Sequence, residues 1–483
     1  MLAALHATVD HPGATGPITI DPATGNRTTV PVRILRVTPT GGFAVVGRQR
    51  DLGIVAAVHA GYPPHMRTAL AATWTLLLGM ALLMLGVGLQ GTLVGLRASL
   101  EGFPTMLAGV MLAAYYLGYM AGSVMTPALV SSVGHVRVFA ALTSLASVLI
   151  LLQGVFVAPL PWTLVRIVFG FCFAGIYVVA ESWLNGRVDN EHRGLLLSLY
   201  MLVCYAGLGL GQLLLNVADP RSTVLFILVS MLISVAMVPM ALTTSAAPEF
   251  SVPVRVRLRD LFRRSPLGVV GVAVAGAVSG CLFSLGALYA DGKGFTTLEV
   301  SLFMAAAILA GCVTQLPVGR ISDRVDRRKV VVAACLLAAC GAMGAWWLAD
   351  ISRLGFLAMV AAYGGMSLTL YSLSSAHVND HVPADERLGA SSTLILVNGA
   401  GAFIAPILVA ALMQLMGNDA FLPLLAVLHV LLAVYTLFRM GRRAPIPSEL
   451  KTTFVGTPPG TSSSGELLGH ASDGVEAAGR SAS

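Results

Sequence analysis

Four residues of one apolar run, Arg166, Gly170, Tyr177 and Glu181, recur at offsets of four, eleven and fifteen. At about 100° per residue these offsets fall in one narrow sector of a helix, so a guanidinium, a phenol and a carboxyl share a face. Arg166 and Glu181 stand about 22 Å apart along such a helix at 1.5 Å per residue, too far to neutralise each other. A cation so deep in apolar sequence must meet a partner, for which Gln90 is the candidate, or look into a cavity where it handles a solute. Structural pairing is the competing account of Arg166. For Glu181, near the end of the run, a salt bridge to Arg137 competes with carriage of a proton. A second run presents hydroxyls rather than charge, Tyr363, Ser367, Tyr371 and Ser374. These suit a solute or a neighbouring helix equally well.

The densest charge lies in Gly319-Arg320-Ile321-Ser322-Asp323-Arg324-Val325-Asp326-Arg327-Arg328-Lys329, between two long apolar stretches. There Arg327 or Arg328 is matched to Asp380 at the end of the tenth apolar stretch. Solvated surface charge is the competing account of Arg324, Arg328 and Lys329. No phosphate-cradling loop, nucleophile elbow or zinc-binding helix occurs, so an enzyme or ATP-driven pump is not expected and no cofactor or metal is called for. Cys172, Cys204, Cys281, Cys312, Cys335 and Cys340 all fall in apolar runs without paired spacing, and read as free thiols packing as small apolar side chains.

A bilayer must hold these groups. The 483 residues are 56% hydrophobic and 11% charged, with a mean hydropathy of +0.81, well outside the composition of soluble domains. Twelve apolar segments stand out: Thr68 to Leu96, Pro104 to Val130, Val138 to Leu160, Trp162 to Leu184, Gly194 to Val217 and Ser222 to Thr243, then Leu267 to Ala290, Val300 to Val318, Val330 to Ala349, Leu354 to Leu373, Leu388 to Met416 and Ala420 to Phe438. Most reach the roughly 20 residues a helix needs to cross a bilayer, and helices satisfy their own backbone groups in hydrocarbon. An all-α integral membrane fold of twelve helices follows. Fourteen Lys and Arg occupy one set of loops and four the other. That bias puts the even-numbered loops and both termini in the cytoplasm of a bacterial cell, across its inner membrane. It also explains the net charge of +7 through contact with anionic lipid, without nucleic acid.

Residues 1–66 hold no span and read as an N-terminal extension, either disordered or an over-called start ahead of Met66, with a marginal hairpin near Thr28 to Val46. Residues 67–243 form one group of six spans and 267–440 the other. Residues 244–266 are a basic cytoplasmic linker with a surface helix near Arg257 to Arg264. Residues 441–483, rich in Pro, Thr, Ser and Gly, read as a disordered cytoplasmic tail. The two groups are tandem copies: Pro127 to His135 aligns with Gly319 to Arg327, and Glu191-His192-Arg193 answers Asp385-Glu386-Arg387. Two six-helix bundles around a central cavity are the natural reading.

The charged stretch resembles the loop signature of the major facilitator superfamily, Gly-x-Leu-x-Asp-Arg-x-Gly-Arg-Arg/Lys, with Ile321 for Leu and Asp326 for the second Gly. Glu181-Ser182-Trp183, with Tyr200-Met201 and Gly211-Gln212, resembles the YcaD-like branch of its bacterial members. The similarity covers Thr68 to Met440. It implies a major facilitator fold and secondary transport of a small organic solute by alternating access, with protons as a coupling partner and membrane lipids around a monomer. It implies that Asp323 sits against the start of the fifth span near Arg193 and Gly194 to close the cytoplasmic side. It also implies that Arg166, with Gly170, takes part in proton or substrate coupling. Ser131 stands where the first copy should carry Asp, so a symmetric gate is not expected. The fifth span lacks the Gly-Pro pair of drug:proton antiporters. The alternative is a transporter-like membrane sensor that binds a ligand without carrying it and signals through the tail.

Overall fold

The computed structural model describes residues 11–13, 16–18, 33–37, 43–48, 64–185, 190–241, 256–442, 447, 451–452 and 454–456, with side chains from Trp74 onward except 185, 190–195 and 197. Ahead of the helices, a unit within Met1–Thr68 contains two antiparallel hairpins: β1 (His11–Gly13) with β2 (Gly16–Ile18), and β3 (Arg33–Val37) with β4 (Phe43–Arg48). The expected first strand thus begins later, at Arg33, and residues 28–32 lie outside the described set, as does Met66's side chain.

Among the described residues, the second unit, Ala69–Ser483, carries twelve helices long and apolar enough to cross a membrane. They are α1 (Pro64–Leu100), α2 (Thr105–Val133), α3 (His135–Val155), α4 (Pro159–Asn185), α5 (Asn190–Leu213), α6 (Val224–Ala241), α7 (Pro266–Gly292), α8 (Thr297–Arg324), α9 (Arg327–Leu348), α10 (Arg353–Asn379), α11 (Arg387–Met416) and α12 (Phe421–Met440). Their outer surface is studded with exposed Leu, Val, Ile and Met, among them Leu164, Met231, Val313, Leu337 and Leu431. Lipid contact demands such a surface and water would oppose it.

Of the span boundaries that differ from expectation, two bear on the site. The third span stops at Val155, because Pro159 opens α4 and the residues ahead of it, Phe156 to Ala158, leave helical geometry. The eighth runs through Gly319 and Asp323 to Arg324, leaving only Val325 and Asp326 before α9. The charged signature is therefore mostly helix, and its loop is a two-residue turn. Asp326 closes that turn as N-cap of α9, accepting from the Arg328 backbone N–H at 3.0 Å.

The duplication is visible in the backbone. Pro104 and Thr296 precede α2 and α8, Gly102 and Gly294 both adopt φ of +71°, and Pro127 corresponds to Gly319. Each pair is separated by 192 residues (296 − 104, 294 − 102, 319 − 127). Packing repeats in the same way. Helix α3 lies on α4 and α6 as α9 lies on α10 and α12, and α2 lies on α4 as α8 lies on α10. The two six-helix bundles meet where α2 packs on α11 and α5 on α8. A short linker helix, Leu258–Arg264, stands where a surface helix was expected. It is tied by Arg264 to Glu386 at 2.6 Å, and residues 244–255 lie outside the described set.

Candidate functional site

Seven residues into α4, Arg166 is held by three contacts from neighbouring helices. One terminal nitrogen donates to Gln90 Oε1 of α1 at 3.2 Å, the other to the Leu112 carbonyl of α2 at 3.2 Å, and the guanidinium lies 4.8 Å from the centroid of the Tyr115 ring. Gly170 makes this possible. A Cβ there would fall 2.0 Å from the Tyr115 carbonyl oxygen, so only glycine lets α2 come close enough to offer its carbonyl and ring to the cation. Arg166 is 5% exposed and forms no ion pair among the described residues. Arg166 Nε and Gln90 Nε2 are buried with no hydrogen-bond partner there. The centre is therefore a buried cation with two unused donors, suited to an anionic or accepting group.

The rest of that α4 face turns elsewhere. Tyr177 donates to Met84 Sδ at 3.2 Å. Glu181, nearly fully buried, accepts from Tyr200 of α5 at 3.4 Å. The expected Arg137–Glu181 bridge is absent, since Arg137 projects from the surface of α3 while Glu181 faces the bundle interior. Among the α10 hydroxyls, Ser367 Oγ lies 3.0 Å from His429 Nε2, and the Tyr363 ring stands edge-on to the same imidazole. Both are turned toward α12. Tyr371 is half-buried and packs on apolar residues of its own bundle.

At the ends of α8, α9 and α10, on the face of the even-numbered loops, a compact charge cluster forms. Arg327 Nε meets Asp380 Oδ2 at 2.7 Å, an Arg327 terminal nitrogen meets Asp323 Oδ1 at 3.1 Å, and another donates to Ser322 Oγ at 3.0 Å. Arg328 pairs with Asp326 at 2.8 Å instead of Asp380. Burial acts to raise the Asp326 carboxyl, but the hydrogen bonds from the Arg328 side chain and backbone outweigh it and hold the group below the usual aspartate range. Arg324 is exposed and unpaired among the described residues.

The remaining partners of this cluster come from the tail. Thr452 donates its backbone N–H and its hydroxyl to Asp380 Oδ1 at 2.8 and 2.7 Å, and its carbonyl accepts from Arg327. The Phe454 N–H donates to Asp323 at 3.0 Å, and Lys451 Nζ to the Val325 carbonyl at 2.5 Å. Residues 451–452 and 454–456 thus lie against the ends of α8, α9 and α10; the other residues of the expected disordered tail beyond 442, save 447, lie outside the described set. Asp323 faces the tail rather than the start of α5, and the Arg193 side chain is outside the described set.

The sequence profile of the Major Facilitator Superfamily matches residues 76–374. The chain belongs to that superfamily. Among its relatives in the facilitator superfamily, the uncharacterized MFS-type transporter YcaD of Escherichia fergusonii is 28% identical over 348 residues, covering 70% of this chain and 88% of that protein. YcaD of Salmonella typhimurium is 26% identical over 355 residues, covering 72% and 91%. The crystal structure of the nucleoside transporter NupG superposes with a TM-score of 0.63 at 14% identity, covering 76% of this chain and 98% of that one. A bacterial homolog of the human lysosomal transporter Spinster, in an inward-facing and occupied conformation, gives 0.64 at 13%, covering 78% and 97%. These likenesses show the facilitator fold.

Sequence reasoning overlooked three partners of this facilitator's polar groups. Tyr115 is followed by a second tyrosine, Tyr116, and only helix rotation decides which ring meets Arg166. His429 is a lone histidine in the last apolar span, a signal that was available. Phe454 is the one Phe, Tyr or Trp of residues 441–483, which is also a usable signal.

Proposed function

We propose that this facilitator is a secondary active transporter, moving a small organic solute with an anionic or strongly accepting group across the bacterial inner membrane by alternating access. The unused donors of Arg166 and Gln90 carry this reading. A buried guanidinium without a carboxylate is costly in a membrane interior, and a solute that supplies the missing acceptor would be held there in preference to a neutral one. The arginine bias of the even-numbered loops supports a cytoplasmic location for them and for both termini. A monomer suffices, because both bundles come from one chain.

The contacts between bundles at the face of the odd-numbered loops support an inward-facing state. There the Met106 N–H donates to Gln414 at 3.3 Å, Asn216 to Ser301 at 2.8 Å, and Gly95 packs on Ala287. Protons are assigned to Glu181, whose carboxyl is buried beside Tyr200 between α4 and α5.

A thermal-shift screen of the purified protein against organic anions, sugars and amides tests the site. A true solute raises the melting temperature of the wild type and not that of Arg166→Ala. Equal stabilisation of both proteins would remove Arg166 from the site.

A further inference from the structure

The acids of the gate are already occupied, and the occupant is the protein's own tail. Thr452 and Phe454, two residues apart, turn their backbone N–H groups to Asp380 and Asp323. In docking of this kind main-chain donors give affinity while a side-chain pocket gives selectivity. The pocket is Gly319. A Cβ at that position would lie 2.3 Å from the Phe454 ring, so the signature glycine is the seat of the tail's aromatic residue. Beyond it, a Cβ on Gly456 would lie 3.2 Å from Gln315 of α8 and 3.5 Å from Met201 of α5. The segment therefore begins on the second bundle and ends touching the first.

We propose that residues 451–452 and 454–456 act as a self-ligand of the gate, a strap that occupies Asp323 and reaches from α8 to α5, limiting the approach of the two bundles at the cytoplasmic face. The inference rests on the alternating-access reading above. Helices α5 and α8 already touch where Gln315 donates to the Tyr205 hydroxyl at 2.9 Å; closing that face brings together their ends beyond this contact, which the strap obstructs beside Met201. The strap must leave before the face can shut, and it acts as a brake on the transport cycle. Its recognition is by shape and backbone: an aromatic in a glycine seat and two N–H groups on two carboxylates.

Two measurements on the detergent-solubilised full chain test the docking and the brake separately. Chymotrypsin cutting after Phe454, followed by mass spectrometry, reads docking. Cleavage is expected to be at least tenfold faster in Gly319→Leu, which fills the seat, and in Thr452→Pro, which removes a donor outside any helix and leaves the bundles intact. Wild type cut as fast as Thr452→Pro would overturn docking. Spin labels on Ser131→Cys and Arg324→Cys, with Cys340→Ser, read the opening between the bundles by pulsed electron resonance. Ending the chain at Arg442 is expected to increase the short-distance population at least threefold. A short-distance population present in both proteins but unchanged by the truncation would overturn the brake and leave alternating access standing. A single unchanging distance in both would overturn the two together.

Discussion

Arg327 and Asp380 meet at 2.7 Å, and their side chains are only 1% and 2% exposed. The bond joins the start of α9 to the end of α10 beneath the charge cluster, so it fixes the floor on which Asp323 and the tail are set. A buried pair of this kind is more damaging to break than to replace, because removing one member leaves the other charged and dry. Asp380→Leu is expected to lower thermal stability by about 3 kcal/mol, with Arg327→Met/Asp380→Leu recovering part of the loss. Thermal unfolding of the three proteins in detergent measures this, and strictly additive losses would refute the coupling.

Arg166 grips two acceptors and an aromatic face at once, a geometry available to a planar guanidinium and not to an ammonium. For any solute found by thermal shift, Arg166→Lys should bind at least about tenfold more weakly despite keeping its charge, a difference near 1.4 kcal/mol. Titration calorimetry of the two proteins decides it. Equal affinity would mean that charge alone is read.

Gly170 is a packing residue with a functional consequence. Because a Cβ would lie 2.0 Å from the Tyr115 carbonyl, Gly170→Ala forces α2 and α4 apart, at a cost of about 1–3 kcal/mol. The Leu112 carbonyl and Tyr115 ring would then withdraw from Arg166. The expected result is a lower melting temperature together with loss of solute-induced stabilisation, and an unchanged response to solute would show that the α2 contacts are dispensable.

The Asp326 carboxyl is held below its ordinary range in the folded protein. A depressed carboxylate adds stability that is fully present above its unfolded value, near about pH 4, and is lost as pH falls through the folded value. Asp326→Asn keeps a capping oxygen but cannot titrate. The stability gap between wild type and Asp326→Asn should be flat from pH 7 to about pH 5 and narrow below about pH 4. A gap that widens on acidification would reverse the sign of the argument.

Hydrophobic length made the twelve helices legible, since a bilayer imposes one requirement on every span. The repeat was legible where Pro127 to His135 aligns with Gly319 to Arg327, and the structure adds Gly102 and Gly294, which occupy equivalent positive-φ turns at the same offset of 192 residues. The pairing of Arg166 with Gln90 was readable because few polar groups lie deep enough to meet a buried cation. Arg137 and Glu181 show where such reasoning stops. Their order along the chain placed both near one face of the membrane, but helix rotation turned one outward and the other inward. Asp323 shows a second limit. Its identity marked a helix-end acid, while its partner, Phe454, lies 131 residues further on and is joined to it through a tail whose composition resembles a linker.

A ligand that is part of the chain competes differently from one in solution. A strap tethered by a short segment experiences an effective concentration in the millimolar range, independent of how much protein is present. A free peptide copying Lys451 to Gly456 would have to exceed that concentration to displace it, and dilution would never release it. Any bulky fusion attached just after Gly456 would press on the seam between α5 and α8, so a reporter spliced there would alter the motion it was meant to follow.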